Sequence, residues 1–139
     1  MNGETATFKV AKRAKDVRVW RDELKKSSPR SVTGFVPTMG ALHAGHERLI
    51  AASMEECDHV AVSIFVNPTQ FGPNEDLDRY PRPLEKDLAI CEKHGVELVF
   101  TPSVDEIYGS DPLRTTFVNP PQYLIDRLCG KMRPGHFQG

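Results

Sequence analysis

The chain has 139 residues, 39% of them hydrophobic and 27% charged, with 18 Lys and Arg against 19 Asp and Glu for a net charge of −1. That length suits one domain with a core of its own, the composition excludes charge-driven disorder, and the balance leaves no global pull toward nucleic acid or an anionic membrane. Three cysteines without a C-x-x-C pair, Cys57, Cys91 and Cys129, fit a reducing, cytoplasmic setting better than a disulfide framework.

In chain order, the charged start from Met1 to Asp22 offers no secretory apolar core. Phe8 to Val10 reads as a short strand. Val17, Trp20 and Leu24 then recur at helical spacing, with Asp16 as the expected N-cap and the surrounding lysines and arginines on a solvated face. Val32 to Val36 is a short apolar run that Pro37 is expected to stop. A second helical pattern runs through His46, Leu49, Ile50, Ser53, Met54 and Cys57. It leads into Val60 to Val66, a nearly continuous apolar run of the kind found in strands covered on both faces. That run is also the longest apolar one in the chain, well short of the ~20 residues of a membrane span.

The polar stretch Thr69 to Pro83 reads as a long loop, a common place for function. Leu84, Leu88 and Cys91 mark a third helix that closes near His94-Gly95, and Val96 to Phe100 a further strand ended by Pro102. Arg114 to Val118 is a possible strand, and Tyr123, Ile125 and Leu128 suggest a last short helix. Strands alternating with helices imply an α/β fold, a Rossmann-like parallel sheet with flanking helices. Such sheets bind ligands at the carboxyl ends of their strands, where Pro37, Asn67 and Pro102 lie.

The richest segment is Pro37-Thr38-Met39-Gly40-Ala41-Leu42-His43-Ala44-Gly45-His46, between a strand and a helix N-terminus. Free N–H groups and the helix dipole make that end an anion site. Gly45 permits close approach of a ligand, and His43 and His46, three apart, face the same way on a first turn. Two imidazoles there can donate to phosphate oxygens and stabilise charge building on phosphorus. A zinc site would need a third ligand, and none has fitting spacing, so no metal ligand is assigned.

This loop resembles the H-x-G-H signature of the nucleotidyltransferase superfamily. With three further blocks it resembles the pantothenate synthetase (pantoate–β-alanine ligase) family: Val62 to Phe71 with Asn67-Pro68-Thr69-Gln70, then Glu75-Asp76-Leu77 with Tyr80-Pro81-Arg82, then Arg133-Pro134-Gly135-His136-Phe137. The resemblance implies that pantoate and ATP form pantoyl adenylate and pyrophosphate, with Mg2+ required, and that β-alanine then displaces AMP to give pantothenate.

It also implies roles. Met39, Gly40, Ala41, Leu42, His43, Ala44, Gly45 and His46 would line the ATP site. His46 would act as proton donor and stabiliser of the pentacoordinate phosphorus, and His43 would hold phosphates. Asn67, Gln70, Pro37, Thr38, Phe65 and Tyr80 would bind pantoate or β-alanine, with Tyr80 closing over the site, and Arg133 and His136 would lie near it. Phe65 and Phe71 equally suit plain core, Asn67 a turn before Pro68, and Tyr80 a structural turn.

Family members run to roughly twice this length, so residues 1–139 are expected to form a truncated N-terminal nucleotide-binding domain, incomplete at the C-terminus and without the lid-like domain. A homodimer is the family expectation. Two alternatives stand beside the ligase: a catalytically inactive nucleotide-binding fragment, and another small-acid adenylyltransferase.

Overall fold

A computed structural model describes residues 8–71, 77, 80–81, 83–110, 118–125, 129–133 and 135–137. The chain divides into two compact units, one comprising Met1–Phe65 with Pro81–Ser103, the other Val66–Tyr80 with Val104–Gly139.

The first unit is a parallel sheet of four strands, β1 (Lys9–Ala11), β2 (Thr33–Thr38), β3 (His59–Ile64) and β4 (Leu98–Phe100), in the order β1-β4-β3-β2. Helices α1 (Ala14–Ser27), α2 (Ala44–Glu56) and α3 (Leu84–Lys93) alternate with the strands. Alternation along the strands builds two apolar layers. Val36, Val60, Val62 and Val99 pack with Leu42, Ile50 and Cys91 on the side of α2 and α3. Ala11, Ala61 and Leu98 pack with Trp20, Val17 and Leu24 of α1 on the other. Burial pushes the Cys91 thiol up to about 11, with Asp87 adding to the effect, so this sulfur is packing and not a nucleophile.

Parallel register levels Thr38 with Ile64 and Ser63 with Phe100, so the carboxyl ends of β2, β3 and β4 form one edge. This is the Rossmann-like α/β sheet expected from the alternation of elements.

Several boundaries differ from the sequence expectation. α1 begins at Ala14 with Arg13 at the cap position, and Asp16 is not the N-cap. It lies in the first turn, where it pairs with Arg13 at 3.1 Å and complements the helix dipole. Pro37 does not stop β2 but lies inside it, opposite Ser63. Among the described residues β2 is an edge strand, where a missing N–H is tolerated. β3 ends at Ile64, two residues early, and β4 begins at Leu98.

The second unit holds a 3₁₀ turn at Pro68–Gln70 and short helices α4 (Val104–Tyr108), α5 (Gln122–Ile125) and α6 (Cys129–Met132). The 3₁₀ turn, α4 and α6 have no counterpart in the sequence reading. The strand suggested for Arg114 to Val118 lies outside the described residues except for Val118, as do Leu128, Glu75, Asp76, Arg82 and Pro134.

Candidate active site

The loop from β2 to α2 is built on a tight backbone. Thr38, buried, donates from Oγ1 to the Ser63 carbonyl at 2.8 Å and accepts from Gly40 N at 3.1 Å, so its hydroxyl is committed to shaping the turn. Gly40 has φ +78, and a Cβ there would meet Asp87 Oδ2 and Ile64 Cγ2, each at 3.0 Å. Ala41 follows with φ +51, a left-handed conformation that costs a non-glycine residue roughly 1 kcal/mol.

That strained turn is held from outside. Asp87 of α3, 1% exposed, accepts from Ala41 N through Oδ2 and from Leu42 N through Oδ1, both at 2.8 Å. Two consecutive backbone donors meet the two oxygens of one carboxylate, which satisfies a buried charge and fixes the loop. Sequence reading missed Asp87, which looks like a solvated residue on a helix whose apolar positions are Leu84, Leu88 and Cys91.

The two histidines cap α2 together. His43 is the N-cap, and its Nδ1 accepts from Gly45 N at 3.1 Å. His46 Nδ1 accepts from His43 N at 3.3 Å, closing a capping box. Their rings lie 4.0 Å apart at 44°. A backbone N–H can only donate, so each Nδ1 is bare and each neutral ring carries its proton on Nε2. The loop thus offers two imidazole Nε2–H donors beside a helix N-terminus. A Cβ on Gly45 would lie 2.9 Å from His43 Cε1, so alanine at this position would displace the capping ring.

Burial holds His46 below its ordinary pKa, the neighbouring His43 adds to this, and Asp87 opposes it. The unfolded chain therefore takes up that proton first as pH falls. Stability from this group is complete above about pH 6.5 and is lost as pH drops below it toward the depressed folded-state value. We expect the thermal midpoint to fall between about pH 7 and pH 5, and to fall less in His46→Asn, which keeps a capping acceptor without the titration. Equal acid sensitivity in the two proteins would contradict this assignment.

The first turn of α2 is tied to the end of α3. Glu47 accepts from His94 Nε2 at 2.8 Å and faces Lys93 at 3.7 Å; the His94 hydrogen bond is the main cause holding the Glu47 carboxyl below its usual range. Of the other candidates in this unit, Pro37 is exposed, Met39 and Phe65 are half-buried, and Phe65 N donates to the Thr38 carbonyl at 3.0 Å.

The remaining candidates belong to the second unit. Asn67 is buried and caps the 3₁₀ turn, its Oδ1 accepting from Thr69 N at 3.1 Å, Thr69 Oγ1 at 2.7 Å and Tyr108 Oη at 2.9 Å. His136 Nδ1 donates to the Gln70 carbonyl at 2.8 Å, tying His136 to the turn that carries Gln70. Tyr80 packs edge-on against Phe71, ring centres 5.5 Å apart. Arg133 and His136 border a cavity of about 250 Å³ with Asn119, Gln122 and Phe137. Among the described residues no group of three His, Cys, Asp or Glu side chains is placed to hold a metal ion.

A family model described as "Pantoate-beta-alanine ligase" matches residues 9–139. The chain belongs to the pantoate–β-alanine ligase family. It is 59% identical over 112 residues to a bifunctional pantoate ligase/cytidylate kinase of Thermosynechococcus vestitus, covering 81% of this chain and 22% of that protein. It is 56% identical over 117 residues to a pantothenate synthetase of Helicobacter pylori, covering 84% and 42%. Among solved structures, a pantoate-β-alanine ligase from Francisella tularensis, complexed with β-γ ATP and β-alanine, superposes with a TM-score of 0.85 at 41% identity, over 96% of this chain and 49% of that one. Pantothenate synthetase from Thermus thermophilus gives 0.77 at 42% identity, over 94% and 44%. This ligase-family chain therefore spans less than half the length of these relatives.

Proposed function

We propose that the chain is the nucleotide- and acid-binding part of an enzyme that condenses pantoate with β-alanine, driven by ATP. In the first step a pantoate carboxylate oxygen attacks the α-phosphorus, the bond to the β-phosphate breaks, and pyrophosphate leaves pantoyl adenylate behind. In the second the β-alanine amine attacks the acyl carbon, AMP departs with the bonding pair, and one proton is released. The carboxylate that opens the sequence is already anionic, so the first step calls for positioning and donors and not for a base.

The observation that carries this reading is the histidine cap. With both Nδ1 atoms occupied by backbone donors, His43 and His46 offer Nε2–H groups to phosphate oxygens, next to the dipole of α2. A neutral His46 serves as hydrogen-bond donor to charge developing at the α-phosphorus. The ATP compound and β-alanine in the Francisella neighbour support the same ligands here. Asn67 and Gln70, with Pro37, Thr38, Phe65 and Tyr80, are proposed for the acid and amine substrates, and Arg133 and His136 for the surroundings of that site.

Mg2+ is proposed as the accompanying ion, as the family resemblance implies. Among the described residues no group of three His, Cys, Asp or Glu side chains is placed to hold a metal ion, and both oxygens of the buried Asp87 accept from the Ala41 and Leu42 amides. Magnesium is proposed to arrive on the triphosphate, its usual mode in phosphoryl chemistry. A homodimer is also proposed. Phe35, 59% exposed on β2, lies on the sheet face that α1 covers only over β1, β3 and β4. Among the described residues no helix is long and apolar enough to cross a membrane, and cytoplasmic work suits three free thiols.

A second reading is favoured by the coverage of less than half of each relative: a portion that binds nucleotide without turning over. Pantoate-dependent ATP–pyrophosphate exchange by the purified chain separates the two. Exchange makes the chain an active unit. ATP binding without exchange makes it the binding portion, and neither would refute both.

A further inference from the structure

The carboxamide of Asn67 has its orientation fixed by chemistry. The Thr69 backbone N–H, 3.1 Å away, can only donate, so the atom facing it is the oxygen. The Thr69 and Tyr108 hydroxyls converge on that same oxygen at 2.7 and 2.9 Å, and lie 3.2 Å from each other. Each hydroxyl has a single proton, and every way of sharing the two leaves Oδ1 an acceptor. Asn67 is 7% exposed, so this amide is not free to turn for solvent's sake. Its remaining hydrogen-bonding capacity is the Nδ2 amino group, a donor of two protons.

We propose that Tyr108 is a positioning residue: with Thr69 it holds Oδ1 of Asn67, so that the amide presents only donors and reads an acceptor oxygen of the carboxylic acid substrate, not the ammonium of the amine substrate. This rests on the ligase reading for the identity of the acid. It assigns Asn67 to the first substrate, and it gives the short helix α4 a purpose, since Tyr108 is its last residue. The turn alone does not need the tyrosine, because Thr69 supplies two donors to the same oxygen.

The test uses NMR on the isotope-labelled chain, titrated with pantoate and separately with β-alanine. In the wild type, pantoate shifts the Asn67 side-chain amide and β-alanine alone does not. Tyr108→Phe removes one hydroxyl without changing shape, and weakens pantoate binding about threefold to tenfold. Asn67→Asp keeps an acceptor for Thr69 and Tyr108 but replaces the donor with an anionic oxygen. It weakens pantoate binding by at least about thirtyfold while the Thr69 amide stays protected from exchange.

Pantoate affinity unchanged in Tyr108→Phe, or kept in a folded Asn67→Asp, would overturn the proposal. If pantoate moves no wild-type resonance, the ligase reading fails at this site and takes the substrate assignment with it. The positioning claim is then decided separately: Tyr108→Phe must raise solvent exchange of the Asn67 side-chain amide about fivefold, and no change refutes it.

Discussion

Replacing Asp87 with alanine is expected to lower the stability of the chain by about 3 kcal/mol or more and its thermal midpoint by about 10 °C. Two effects combine. The carboxylate is 1% exposed and takes both the Ala41 and Leu42 N–H groups at 2.8 Å, so its removal leaves two donors without an acceptor in a low-dielectric setting. It also releases a turn whose left-handed Ala41 has φ +51 and returns to an ordinary conformation once unclamped. Asp87→Asn retains the shape but turns one acceptor into a donor facing an N–H, so it recovers little. Hydrogen exchange locates the loss: the Ala41 and Leu42 amides should open first, ahead of Val60 and Val62 in β3. If those two amides exchange as slowly in Asp87→Ala as in the wild type, the carboxylate is not what shapes the loop.

His46→Ala is expected to reduce pantoate-dependent ATP–pyrophosphate exchange by about 10²–10³-fold with a stability cost near 1 kcal/mol. The small cost reflects the loss of one capping acceptor, for the His43 N–H, while His43 still accepts from Gly45. The large kinetic cost would follow from the role proposed for His46, a donor to charge that develops only as the phosphorus centre becomes pentacoordinate. His46→Asn divides the two, keeping an acceptor at the third helical position and removing the Nε2–H. It should fold like the wild type and remain as slow as the alanine variant. The assay is informative both on the chain alone and on the chain fused to the remaining length of one of its relatives. Exchange in His46→Asn at the wild-type rate would remove His46 from the reaction.

The sheet and the turn from β2 to α2 were legible because local signals agree there. Val60 to Ile64 is apolar on both faces, as a central parallel strand must be, and the glycines and histidines between Pro37 and His46 mark a strand-to-helix turn. Features that depend on distant partners were not legible. Among the described residues β2 pairs only with β3, which nothing near Pro37 tells, so a proline rule that holds for central strands misplaced its end. Asp87 is separated from the amides it binds by 46 and 45 positions, and its polarity reads as exposure. Tyr108 ends a five-residue helix, too short for any periodicity to appear. Asp16 shows a local ambiguity of another kind: an acidic residue near a helix start serves equally as cap or as first-turn charge, and the Arg13 pairing selects the second.

The histidine cap also bears on how the site answers to ionic strength. Both rings are spent as acceptors at Nδ1, so the loop from Met39 to His46 would meet the proposed nucleotide with neutral donors and a helix dipole, carrying no full positive charge of its own. A triphosphate bound in that way would keep most of its counterions. Nucleotide affinity of the isolated chain should therefore change little between low and physiological salt, where a lysine- or arginine-lined site would weaken steeply. A steep dependence in the same protein joined to the rest of a relative would locate the screened charges outside this loop, and measure how much of the grip on ATP they supply.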